Sequence, residues 1–218
     1  MWLNLALMAL AHQLNTFVNS MDTKKYVVKR SEDEAIVIND FIYPWKGAKS
    51  TDLKFTGWHT EKWLHLTFRV NCLKPNVFTH SHYKMEVAWS DRVEIFFRKD
   101  DKLTPYYCLE IDPLARVLDY KANYYRQFDY EWSWPKDHLK ISTFTGKDGY
   151  DVNISITKES LESLGLLNNN HFEAGLFRGE CIKLNGENPE MEWISWVSPN
   201  SRHPDFHIPS SFGKLELE

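Results

Sequence analysis

The chain has 218 residues, 43% of them hydrophobic and 26% charged, with a formal net charge of −4 and a pI near 6.1. That length suits one sandwich or barrel domain, since such folds run to ~200–250 residues without dividing. The absence of any Lys/Arg-rich run removes the electrostatic footprint of a nucleic-acid or anionic-membrane binder.

The N-terminal stretch MWLNLALMALAHQLNTFVNS holds an apolar run from Trp2 to Ala11, too short to span a bilayer at ~20 residues. Residues 1–20 are open to two main readings. One is a signal or lipoprotein-like leader, with small residues at Ala9/Ala11 or Val18/Ser20 serving cleavage, which would make the protein secreted or periplasmic. The other is a mis-called start or a minor helix: the Lys/Arg n-region is missing, and Met21 makes a sensible true start for a cytoplasmic protein. The fold is expected within residues 24–218.

From about residue 24 a period of two dominates. Lys54 to His59, a turn at Thr60-Glu61-Lys62 and Trp63 to Val70 read as a hairpin with Leu64, Leu66, Phe68 and Val70 inward. HSHYKMEVAW is expected to extend toward the next strand, AWSDRVEIFFR (88–98). There Trp89, Asp91, Val93, Ile95 and Phe97 share one face, and Ser90, Arg92, Glu94, Phe96 and Arg98 the other. YYCLEID and Arg116 to Tyr120 continue a meander, and 140–146 with 149–156 form a second hairpin through Lys147-Asp148-Gly149. Thr157 is placed to cap one short helix containing Leu161 and Leu164, closed by Gly165. Strands follow at 171–178, 192–197 and 212–218. About nine or ten mostly antiparallel strands with no helix–strand alternation predict an all-β antiparallel sandwich with one short helix.

The three cysteines, Cys72, Cys108 and Cys181, form neither a disulfide framework nor a C-x-x-C knuckle. No phosphate-cradling glycine loop and no G-x-S-x-G elbow is present. His80 and His82 would put two imidazoles on one side of a strand, but no third ligand is identifiable, so a solvated segment is favoured over a zinc or copper site.

Glu94 and Glu110 fall on the polar faces of two strands that the meander pairs. Cross-strand carboxylates at ~5–5.5 Å are the geometry of a retaining glycosidase. The competing reading, which is preferred, is a charge ladder with Arg92, Arg98 and Arg116 or hydrogen bonding to a ligand.

Nine Trp within a 15% aromatic content exceed the needs of a core this size. A sugar offers C–H groups on one face and hydroxyls at its edge, so its site wants flat rings with a polar rim. Both occur together here: Trp89 beside Asp91 and Glu94, Tyr106 and Tyr107 before Glu110 and Asp112, and seven aromatics among charges in YKANYYRQFDYEWSW (120–134). That last segment reads equally as a long loop packing its rings over one end of the sandwich.

WSDRVEIFF (89–97), YDVNISI with the helix after it (150–164), ISW (194–196) and FHIPSSFGKLEL (206–217) together resemble the family 9 carbohydrate-binding modules and their DOMON-like relatives, over about residues 35–218. The resemblance implies a jelly-roll-like sandwich that holds a saccharide between two Trp rings, often in xylanases and other polysaccharide-degrading systems, with calcium as a possible structural ion. Trp89 sits one position off the first of those Trp residues, and Asp91 and Glu94 match the D-x-V-E pattern whose Glu contacts sugar hydroxyls. Phe206 stands nearest to the second Trp, and Glu110 stands where some members place an Arg. Arg178 resembles an Arg of a variant subgroup, or else pairs with a strand acid. The expected function is therefore non-catalytic binding of an oligo- or polysaccharide, with Trp89 and Phe206 stacking and Asp91, Glu94, Glu110 and Arg178 hydrogen bonding. The alternatives are a glycoside hydrolase using Glu94/Glu110 and a DOMON-like ligand-binding domain, the latter lacking an evident Met/His pair for haem.

Overall fold

A computed structural model describes residues 24–47 and 51–218. The question of a leader at 1–20 lies outside the described residues. Within them are twelve strands: β1 (Lys25–Val28), β2 (Leu53–His59), β3 (Trp63–Asn71), β4 (Arg92–Arg98), β5 (Tyr106–Ile111), β6 (Val117–Asn123), β7 (Gln127–Asp129), β8 (Leu139–Gly146), β9 (Gly149–Thr157), β10 (His171–Lys183), β11 (Glu190–Ser195) and β12 (Gly213–Leu217).

The clean alternation of β2, β3 and β9 is that of strands with one buried and one wet face. They form a four-stranded antiparallel sheet in the order β2-β3-β9-β8. At the turn between β8 and β9, Gly149 has φ +151°, and a Cβ there would stand 1.9 Å from the Val70 carbonyl oxygen, so only glycine fits. The helix α1 (Lys158–Ser163) follows β9, and the Thr157 side chain accepts a hydrogen bond from the Ser160 amide as the sequence predicts.

The second sheet has eight strands, in the order β1-β12-β10-β4-β5-β6-β7 with β11 also paired to β10; only β1 and β12 run parallel. Its inner face meets the small sheet. Val93, Ile95, Phe97, Leu109, Ile111 and Leu176 pack there with Leu64, Leu66, Phe68, Val152, Ile154 and Ile156 in one continuous core. The fold is thus the expected β-sandwich.

Three expectations need correction. HSHYKMEVAW is a loop followed by a 3-10 helix, Lys84–Trp89, not a strand. Segment 120–134 is the end of β6, a turn and β7, so it adds an edge strand where a loop was one of the readings. And neither face of β4 is wetted: all seven of its residues are buried. The strand is central, covered on one side by the small sheet and on the other by a second cluster including Val87, Phe96, Tyr120, Phe177, Phe206 and Phe212. No helix among the described residues is long and apolar enough to cross a membrane.

Candidate functional site

The outer face of the large sheet carries a cleft of about 190 Å³. Strand register builds its floor. Glu94 on β4 lies directly opposite Glu110 on β5 and Phe177 on β10, and Arg92 and Tyr120 complete the polar surface. Directly opposed side chains have their Cβ atoms ~4.5–5.5 Å apart, so two carboxylates are forced together and need a cation.

Arg92 supplies it. Its Nε donates to Glu110 Oε2 at 2.6 Å, and its Nη1 donates to the carbonyls of Ala88 (2.9 Å) and Ser90 (3.3 Å). The guanidinium lies 5.4 Å from the Trp193 ring centre. Room for it comes from Gly179, where a Cβ would approach Nη1 to 2.9 Å. Tyr120 donates its hydroxyl to the other Glu110 oxygen at 2.8 Å. Glu94 is served less well. Arg92 Nη2 stands 2.9 Å from Glu94 Oε1, but that oxygen receives no aligned hydrogen bond. Burial raises the Glu94 carboxyl, Arg92 opposes this and Glu110 reinforces it, with the result that it is pushed up to about 8.

The walls are aromatic. Phe206 stacks on Phe177 with centroids 4.0 Å apart and planes 10° from parallel, and Trp193 meets Phe206 edge-on at 5.8 Å. Phe128 and Tyr130, from β7 and the turn after it, also line the cleft. At the rim, Arg126 pairs with Asp205 at 3.1 Å, and Asp205 also accepts from the Tyr125 hydroxyl at 2.5 Å. His207 stacks on Phe96 at 5.0 Å, with Nδ1 3.0 Å from the Tyr106 hydroxyl. Burial, aided by Arg126, pushes its imidazole down to about 3, so it is neutral at pH 7.

Of the residues expected from sequence, Glu94, Glu110 and Phe206 come together here. Asp91, Arg178 and Trp89 do not. Arg178 is opposite Val93 in the ladder and so points to the core side. There it forms a two-point pair with Asp91 (Nη2–Oδ2 2.9 Å, Nε–Oδ1 3.2 Å), and Asp91 also accepts from the Tyr150 hydroxyl at 2.5 Å. The strand-acid reading of Arg178 is the one this geometry matches. Trp89 ends the 3-10 helix and packs edge-on against Phe78 at 5.3 Å, outside the cleft lining. Sequence reasoning reached Arg126, Phe128 and Tyr130 only as members of the aromatic segment 120–134, and it missed Trp193, Asp205 and His207. The signal for the residues of 120–134 and 203–207 was their local density of aromatic and charged side chains, which does not say where those segments fold, and Trp193 carried no such signal.

His80 and His82 are exposed, and among the described residues no group of three or more His, Cys, Asp or Glu is gathered to hold a metal. The calcium implied by resemblance also meets a poor donor set. The buried acids Glu86 and Asp112 are bridged by Arg116, with Nη1 on Glu86 Oε2 at 2.8 Å and Nε on Asp112 Oδ2 at 2.7 Å. Its Nη2 donates to the Phe78 carbonyl at 2.7 Å. Calcium wants carboxylate and carbonyl oxygens free to converge on it, and here a guanidinium holds them.

The sequence pattern of the family described as carbohydrate family 9 binding domain-like matches residues 45–218. A search of curated proteins finds no match. Among solved structures, a Bacteroides uniformis protein whose assignment as carbohydrate-binding is itself provisional superposes with a TM-score of 0.67 at 16% identity, covering 90% of this chain and 100% of that one. A family 9 carbohydrate-binding module from Caldicellulosiruptor kristjanssonii in complex with glucose gives 0.50 at 16% identity over 89% and 96% of the two chains. The complex of such a module from the same organism with cellotriose gives 0.54 at 14% identity over 89% and 94%. At these identities the structural likeness establishes the fold.

Proposed function

The chain belongs to the carbohydrate family 9 binding domain-like family, and from that premise we propose that it is a non-catalytic module holding a saccharide in the cleft above β4 and β5. The observation that carries this reading is the meeting of Phe206 and Trp193 with the incompletely hydrogen-bonded Glu94 in one small concavity. The rings offer an apolar surface to the C–H face of a sugar, while Glu94, Arg126 and Asp205 offer partners to its hydroxyls. A cleft of about 190 Å³ is smaller than the ~300–1,000 Å³ of drug-sized pockets, which suits one sugar ring or a chain end. In this reading the protein serves polysaccharide breakdown and works outside the cytoplasm, where such polymers lie.

The face-to-face register of Glu94 and Glu110 is what a retaining glycosidase needs, but the occupants of Glu110 weigh against it. A carboxylate with one oxygen on Arg92 and the other on Tyr120 has no free oxygen to attack with, and using either one would give up a hydrogen bond in a buried site.

Titration with cellotriose and with xylan-, cellulose- and pectin-derived oligosaccharides, followed by Trp fluorescence, tests the binding reading, since Trp193 lines the cleft. Phe206→Ala is expected to weaken binding by about 3- to 10-fold, the value of an aromatic stack. Silence from every saccharide, or hydrolysis of chromogenic glycosides abolished by Glu94→Gln, would overturn it.

A further inference from the structure

The ionisable groups of the cleft do not balance. Arg126 is matched by Asp205 at the rim, and Arg92 is matched by Glu110 on the floor. Two guanidiniums therefore face three carboxyls, with His207 neutral between them, and Glu94 is the carboxyl left over. It is 2% exposed and lines the cleft, and its Oε1 receives no aligned hydrogen bond. Among the described residues the cation beside it is Arg92, whose Nη2 stands 2.9 Å from Oε1 but which also holds Glu110 through Nε and two backbone carbonyls through Nη1, so one guanidinium serves two carboxyls.

A buried carboxyl next to a second one is a site that lacks a positive charge. The walls suit a cation as well. Tyr120, Tyr130, Phe128 and Phe206 surround the cleft, and an ammonium lying over such ring faces gains cation–π attraction that grows as water is excluded.

We propose, resting on the saccharide reading above, that the cleft selects sugars bearing a free amino group, 2-amino-2-deoxyhexoses and their oligomers, with the ammonium paired to Glu94. On binding, Glu94 gives up whatever proton it holds to solvent and becomes the carboxylate partner of the ammonium. Acetylating the amine removes the charge but keeps the ring. A uronic acid would bring a fourth carboxyl against the three already present.

The test compares three trimers by calorimetry on the full chain near pH 6.5 and at low salt: glucosamine, N-acetylglucosamine and cellotriose. The glucosamine trimer is expected to bind at least about tenfold tighter than either of the others, in line with a desolvated charge pair. Raising the salt should weaken only that trimer, and Glu94→Gln should abolish its advantage while thermal unfolding shows the variant folded. The salt series needs no variant and stands if Glu94→Gln fails to fold. Equal or weaker binding of the glucosamine trimer would overturn this inference and leave the saccharide reading intact. Binding of none of the three would overturn this inference, and with silence across the wider saccharide panel both would fall.

Discussion

Glu94 shares its one neighbouring cation with Glu110, and it meets that cation off the line of a hydrogen bond. In the unfolded chain it is an ordinary carboxyl that ionises near 4.5, whereas in the fold its carboxyl is pushed up to about 8. Between those two pH values the native state holds a proton that the unfolded state has released. Stability from this group is therefore full below the unfolded value, falls as pH rises, and is gone above about 8. His207, held at about 3 in the fold, works the opposite way below its unfolded value of 6.5, so the Glu94 effect is read between pH 6.5 and 8, where wild-type protein should lose about 1–2 kcal/mol in urea unfolding and Glu94→Gln should flatten that slope. A wild-type profile that rises over the same range would show that Glu94 is ionised in the native state and that its environment is less dry than its burial indicates.

At the scale of elements, Arg116 organises the approach to the site. Its side chain ties β6 to the 3-10 helix through Glu86 and to the preceding loop through the Phe78 carbonyl. Burial alone would raise the Glu86 carboxyl, but hydrogen bonds from Ser81, His80 and Arg116 outweigh it and hold it at about 2. Met85 and Ala88 of the same helix line the cleft, so the wall depends on this pin. Arg116→Ala leaves Asp112 and Glu86 buried without their cation, which costs about 3–5 kcal/mol. Hydrogen exchange should quicken across the amides of 76–91 while β2, β3 and β9 stay protected; uniform protection would mean that packing, not Arg116, holds the helix. The same region shows why sequence reading succeeded for some elements and not others. Leu64, Leu66, Phe68 and Val70 alternate because their strand has one dry and one wet face, and alternation survives in the sequence. Arg92 and Glu94 look like a wet face, yet both are buried, and the contact that holds Arg92 there is with Glu110, 18 residues away, which no local period records. Asp91 and Arg178 stand 87 positions apart, so their pairing inside the core was visible only as one of several possible ion pairs. Likewise nothing local marked Trp193 as a cleft wall, since β11 reaches the site only through its pairing with β10.

For the molecule as a whole, β4 is where stability and binding meet. Its two faces divide the work: Val93, Ile95 and Phe97 belong to the core between the sheets, while Arg92, Glu94 and Phe96 belong to the cleft side. Phe97 is fully buried and packs against Trp134 and Phe172 at 5.6 and 5.9 Å. Truncating it to Ala removes that packing and opens a cavity, at a cost of about 3–5 kcal/mol. The cleft face should feel little of this, because its geometry is set by backbone ladders to β5 and β10 that do not pass through the Phe97 ring. Phe97→Ala should therefore unfold at much lower urea yet bind its saccharide within about twofold of wild type. Because a ligand stabilises only the native state, a saccharide at 100 times its Kd should add the same ~2.7 kcal/mol to both proteins. Parallel losses of stability and affinity would instead mean that the sheet transmits core strain to its outer face, and that the two sides of β4 form one site.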